Sequence, residues 1–245
     1  MSEAGNLGAM AWVDVPTSPL VLIPLGSTEQ HGPHLPFSTD TTIAVAIAEA
    51  VAAILAATGV NVIVAPALAY GASGEHQGFP GTVSVGRDAL RLQLIEVIRS
   101  AMTWAARVVF VNGHGGNVPT LSSAVVQMRH EQHDVAWLPC AFESGADAHA
   151  GAIETSVMLC LAPGSVDMRR AAAGNTDPLD EIMPALVESG VGAVSPTGVL
   201  GDPTLATAER GAALIRAVVE DACARMRCAS VDDRGRLQRA HVEAR

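Results

Sequence analysis

Short, uninterrupted apolar runs recur along the first half of the chain: LVLIPL at 20–25, NVIVAP at 61–66, RVVFV at 107–111 and VAWLP at 135–139. A strand with one wet face alternates apolar and polar residues, whereas runs this continuous mark strands buried on both faces. Helical patterns separate them. An alanine-rich stretch, 41–57, stops before Gly59, with Asp40 placed as its N-cap. The stretch 87–105 repeats Leu90, Leu94, Ile98 and Met102 at i, i+4 spacing, and 118–132 is a third helix. Buried strands alternating with amphipathic helices predict an α/β fold, a three-layer α/β/α sandwich with a mostly parallel central sheet. A further helix is expected at 149–161, and a closing helix at 204–227 with Leu205, Ala208, Ala212, Ile215 and Val219 on one stripe. Between them, 162–203 is rich in Gly, Pro, Ser and Asp without clear period and reads as a lid or an oligomer contact. With no repeat and no linker-like break, 1–245 reads as one domain with an ordered core of about 18–228 and a frayed charged tail from Ser230.

Composition removes whole classes of function. The chain has 25 acidic and 15 basic residues, and all of the bases are arginine. An acidic chain is a poor polyanion binder, and one without lysine is neither a P-loop NTPase nor a Schiff-base enzyme. Aromatic residues make up only 3%, too few to stack bases, so no nucleic acid is expected as partner. The four cysteines (Cys140, Cys160, Cys223, Cys228) form no CxxC pair and read as small hydrophobes in a reducing compartment. No apolar run approaches the ~20 residues of a membrane span, so a cytoplasmic protein with no membrane partner is expected.

The chemistry is concentrated in four segments at or near the carboxyl ends of the strands, where parallel sheets bind ligands. They are GSTEQHGPHLPFSTD (26–40), YGASGEHQGFPGT (70–82), NGHGGN (112–117) and HAGAIETS (149–156), and they hold five of the eight histidines. Glu29 and His31, two apart, point to one side of an extended strand end. Asp40 can fold back to them, His114 arrives between glycines, and Glu154 follows on a helix after His149. Carboxylates and imidazoles without thiolate make an N/O site for Zn²⁺, Fe²⁺ or Mn²⁺. Five donors exceed what one open tetrahedral ion uses, so two divalent metal ions sharing a carboxylate is the simpler reading.

Plainer readings stand beside this one. Glu29 alone is an ordinary loop acid, Asp40 alone a helix cap, and NGHGGN alone a helix N-terminus suited to an anion. That turn fails GxGxxG at Val118, and no GxSxG elbow accompanies it. His34, Glu75 and His76 suit metal-supporting or substrate-facing positions. Tyr70, Ser73 and the turn Gly115, Gly116 and Asn117 complete the substrate-facing candidates, with the backbone N–H groups of 115–117 available to an oxyanion. His130, His133 and His241 read as solvated.

Together, in this order and spacing, the four motifs resemble the creatininase family of metal-dependent amidohydrolases, over roughly residues 20–219. The resemblance implies Glu29, His31, Asp40 and His114 as metal ligands, with Asp40 bridging, and His149 as the catalytic histidine. Creatininase itself carries a glutamate two residues after the histidine of the third motif. Here that position is Gly116, and Glu154 is the candidate replacement, as ligand or as an acid assisting His149. The segment 197–207 (TGVLGDPTLAT) resembles peptide-processing members, which implies release of a C-terminal Val-Tyr-derived moiety from a modified precursor peptide. Two alternatives remain: hydrolysis of a small cyclic amide or formamide, and a metal-binding scaffold with a degenerate site. Family members assemble as rings of dimers, so the resemblance also implies a homo-oligomer.

Overall fold

The computed structural model describes residues 5–142 and 147–239. Five strands form one sheet: β1 (Gly5–Asn6), β2 (Leu20–Leu25), β3 (Val62–Val64), β4 (Arg107–Asn112) and β5 (Val135–Pro139), in the order β1-β3-β2-β4-β5. Every pairing is parallel, with Leu20 opposite Val62 on one side and Arg107 on the other. Side chains alternate between two separate cores. Leu22, Val64, Val109, Val111 and Leu138 face α1 (Thr39–Ala57), α4 (Ala152–Leu161) and α7 (Ala208–Cys228). Val21, Ile23, Val108, Phe110 and Trp137 face α2 (Arg87–Ala101) and α3 (Val118–His130). Both faces being covered explains the unbroken apolar runs and makes the three layers.

Helix α1 begins two residues earlier than expected, and Ser38 occupies the cap position. Asp40 is therefore not the N-cap; it lies within the first turn, fully buried. Its neighbours Ile43, Ile47, Val51 and Leu55 recur one turn apart and fill the core, while Ala44, Ala48 and Ala52 let the helix sit close to the sheet. This 19-residue helix, with a mean hydropathy of 1.8, reaches the length and apolarity of a membrane span by composition, yet Asp40 and Glu49 interrupt its apolar run and half of it is buried inside the fold, as in a core helix.

The second half of the chain departs further from the pattern that the sequence predicts. The helix expected at 149–161 starts only at Ala152, and His149 precedes it in an isolated antiparallel bridge with Leu200. The closing helix starts at Ala208, capped by the Thr207 side chain, and its buried stripe is Gly211, Leu214, Val218, Val219, Ala222 and Cys223. Leu205 lies in a preceding 3-10 turn and is exposed. The region 162–203 contains two helices that its prolines disguise, α5 (Leu179–Ser189), with Pro184 inside it, and α6 (Val191–Val194). The tail also returns to the fold: Leu237 N donates to Trp137 O and Trp137 N to Gly235 O, the Trp137 indole donates to Arg234 O at 2.9 Å, and Leu237 is fully buried. His241 lies outside the described residues.

Candidate metal centre

Neighbouring strands β2 and β4 send the chain to opposite faces, β2 to α1 and β4 to α3. Such a divergence opens a crevice at the carboxyl ends of the strands. The loop after β2 brings Glu29 and His31 to it, α1 brings Asp40, and the turn after β4 brings His114. The segment before α4 and its first turn bring His149 and Glu154.

Asp40 stands at the centre. Its Oδ1 lies 3.1 Å from His31 Nε2 and its Oδ2 lies 3.4 Å from His114 Nδ1, while the Ser27 hydroxyl donates to Oδ2. Two three-residue groups with convergent donor atoms meet on it: Glu29, Asp40 and His114, and His31, Asp40 and Glu154. A third group joins Glu29, His31 and His149. Glu29 is fully buried and neither of its carboxylate oxygens has a hydrogen-bond partner, although His114 Nδ1 and His76 Nε2 come within 3.2 and 3.4 Å of Oε1. A desolvated carboxylate without hydrogen bonds calls for a cation. The residues present therefore fit divalent ions, with carboxylate and imidazole donors suited to zinc, iron(II) or manganese(II).

Electrostatics follow from burial and these neighbours. Burial pulls His31 down, but Asp40, Glu154 and Glu29 outweigh it and raise its pKa to about 10. Burial opposes ionisation of Asp40, yet His31 and His114 hold it well below the usual carboxylate range. Burial pushes the Glu154 carboxyl up to about 7, with His31 opposing. Burial and the nearby His31 and His76 keep His149 well below an ordinary histidine.

The other candidate residues divide. Glu75 and His76 lie in a 3-10 turn after β3 and line the crevice, Glu75 Oε1 3.4 Å from His114 Nε2. Gly115 and Gly116 also line it. Asn117 does not: its amide donates to Gly26 O at 2.9 Å and Asn112 Oδ1 at 3.2 Å and accepts from Ala72 N at 2.9 Å, which makes it a strut tying three loops together. His34 is buried against the Thr155 hydroxyl at 2.9 Å, Tyr70 is half exposed away from the cavity lining, and the Ser73 hydroxyl is buried without a partner.

Sequence reasoning passes over Gln30 and α5. Gln30 Nε2 sits 2.9 Å from His76 Nδ1 and 3.1 Å from Gly198 O, and its backbone carbonyl is 2.8 Å from His149 Nε2. Its place between Glu29 and His31 is the only signal. Helix α5 walls one side of a cavity of about 1200 Å³ with Leu179, Met183, Leu186 and Val187. The i, i+4, i+8 spacing of Leu179, Met183 and Val187 is the signal there.

The chain is similar to known proteins over most of its length. Residues 9–226 match the creatininase family, described as creatinine amidohydrolase. The chain is 52% identical over 228 residues to the mycofactocin precursor peptide peptidase of Mycobacterium tuberculosis, covering 91% of this chain and 90% of that one. A solved creatininase in its Mn form superposes with a TM-score of 0.75 at 26% identity, over 91% of this chain and 98% of the other. A variant creatininase of Zn–Zn type gives 0.75 at 26% identity, over 92% and 98%.

Proposed function

The chain belongs to the creatininase family, and from that premise we propose that it cuts a C–N bond of the mycofactocin precursor peptide, releasing the C-terminal Val-Tyr-derived moiety. It is a metal-dependent hydrolase. The observation that carries the reading is Asp40, whose two oxygens address two different donor groups, His31 with Glu154 and His114 with Glu29. Two divalent ions held by Glu29, His31, Asp40, His114 and Glu154 would supply a water nucleophile at neutral pH and polarise the amide carbonyl.

The protein's own residues do the rest. His149 Nε2 lies 2.8 Å from the Gln30 carbonyl, which can only accept, so the ring proton sits on Nε2. Nδ1 then presents a lone pair toward Glu29 Oε1, 3.9 Å away, where it can take a proton during attack and return it to the leaving amine. Glu154 Oε2 accepts the Ala150 N–H at 2.6 Å, which fixes the carboxylate beside His31. The cavity favours a peptide over a creatinine-sized molecule: about 1200 Å³ exceeds the ~300–1,000 Å³ typical of sites for drug-sized ligands. Its apolar α5 wall suits the side chains of a Val-Tyr-derived segment.

Within this reading the ions are zinc, iron or manganese, two per subunit, and the protein works in the cytoplasm as a homo-oligomer with its four cysteines free, as they are here. The test is to incubate metal-loaded protein with the modified precursor peptide, creatinine and a formamidopyrimidine, and to follow products by mass spectrometry. Release of the C-terminal moiety supports the proposal. Turnover of a small amide alone transfers the function to the small-molecule hydrolases, and full metal loading without any turnover leaves a binding protein.

A further inference from the structure

His114 is engaged at both ring nitrogens. Nδ1 faces the buried carboxylates, 3.2 Å from Glu29 Oε1 and 3.4 Å from Asp40 Oδ2. Nε2 faces outward, 3.4 Å from Glu75 Oε1 and 3.3 Å from the Ala72 carbonyl. A neutral imidazole has one donor and one acceptor, so a ring that offers Nδ1 to a cation carries its proton on Nε2 and needs an acceptor there. The Ala72 carbonyl is the hydrogen-bond partner there, and Glu75 adds a second oxygen with a negative charge, half-buried at the cavity wall.

The room for that carboxylate comes from Gly116. A Cβ at 116 would stand 2.3 Å from Glu75 Oε1, 2.4 Å from His114 Nε2 and 2.7 Å from Ala72 O, all closer than real carbon atoms approach. Gly116 is not in the left-handed region, so space and not backbone conformation demands glycine. Any side chain there, including the carboxylate that the creatininase resemblance leads one to expect, would press on His114 Nε2 and Ala72 O as well as on Glu75, and so break up the contact among them.

We propose that Glu75 is a positioning residue that holds the Nε2–H of His114 and so fixes the ring that Nδ1 offers to the metal, and that Gly116 is glycine to leave Glu75 this place. A carboxylate on the far nitrogen of a ligating histidine sets both its tautomer and its orientation. The proposal rests on the reading of the crevice as a metal centre, and the test separates the two.

Metal-free wild type, Glu75→Ala, Glu75→Gln, Glu75→Leu and Gly116→Ala are titrated with Co²⁺, reading stoichiometry, affinity and visible absorption, with circular dichroism as the check on folding. Glu75→Ala is expected to weaken one of two ions about 10- to 100-fold, leave the other unchanged and alter the cobalt spectrum. Glu75→Gln keeps an acceptor oxygen and should recover most of the affinity. Gly116→Ala should also weaken binding, but its Cβ presses on His114 directly, so if Glu75→Ala does not fold, Glu75→Leu, similar in size and without an acceptor, decides the matter. Two ions of wild-type affinity and spectrum in Glu75→Ala overturn the proposal alone. So does a Glu75→Gln as impaired as Glu75→Ala, since charge rather than a held proton would then be at work. A wild type that binds no cobalt overturns this proposal and the metal-centre reading together.

Discussion

The Nε2 atom of His31 lies 3.1 Å from Oδ1 of Asp40, and both side chains are buried. Burial works against a charge on His31, but Asp40, Glu154 and Glu29 raise its pKa to about 10, so near pH 7 the ring holds a proton that a cation must displace. Burial opposes a charge on His114 too, and there Glu29 and Asp40 likewise outweigh it and raise the pKa. Loading chelator-treated protein should therefore release protons from both rings, about one of them from His31, and affinity should fall at least about tenfold per unit as pH drops from about 8 to about 6. Calorimetric titration in buffers of differing ionisation enthalpy measures the release. His31→Ala should lose both the proton and roughly one ion, and a wild-type affinity unchanged between about pH 6 and 8 would contradict the assignment.

Replacing His149 by alanine should lower turnover of the peptide by about 10²- to 10⁴-fold, the contribution of a positioned acid–base group. Metal content by mass spectrometry should stay at the wild-type level, because the ring is fixed through Nε2 by the Gln30 carbonyl and sits 3.9 Å from Glu29. A variant that loses an ion would make His149 a ligand instead.

The strands are legible because burial on two faces leaves no alternation to misread: β2 and β5 occupy 20–25 and 135–139, as the apolar runs predict. Glu29, His31, Asp40 and His114 are legible as a group because the segments after the strands concentrate them at the carboxyl end of the sheet. What sequence does not carry is the exchange of partners between loops. Asp40 has the residue type of a cap, yet His31 and His114 draw it into the crevice and Ser38 takes the cap position. Asn117 has the residue type of a substrate contact, yet two loop backbones and the side-chain amide of Asn112 consume it. Helix α5 hides behind Pro178 and Pro184, and the packing of Leu237 beneath a charged segment depends on Trp137, far away in sequence.

Val187 on α5 is 80% exposed while lining the cavity, so Val187→Asp should fold normally. A charge on the apolar wall opposes an apolar peptide segment, and KM for the precursor peptide should rise about tenfold, the effect of losing one well-placed apolar contact of about 1–2 kcal/mol. Turnover at saturating peptide and metal content should not change. Steady-state kinetics that show kcat falling with KM constant would place Val187 outside the substrate path.

Asn117 is fully buried, and its side chain links Gly26 after β2, Ala72 after β3 and Asn112 at the end of β4. Asn117→Ala removes the donors and the acceptor at once and leaves the Gly26 carbonyl and the Ala72 N–H to find new partners. An unsatisfied buried group costs about 1–3 kcal/mol, so the loss should be about 3 kcal/mol or more. For a chain of this size that lowers Tm by about 6–12 °C, measurable by thermal unfolding of the wild type and variant under one metal concentration. Because Gly26 begins the loop that carries Glu29 and His31, and Ala72 precedes Glu75, the same change should loosen the donor set and weaken metal binding even where the variant remains folded. A substrate contact would behave in the opposite way, with KM altered and Tm and metal affinity unmoved.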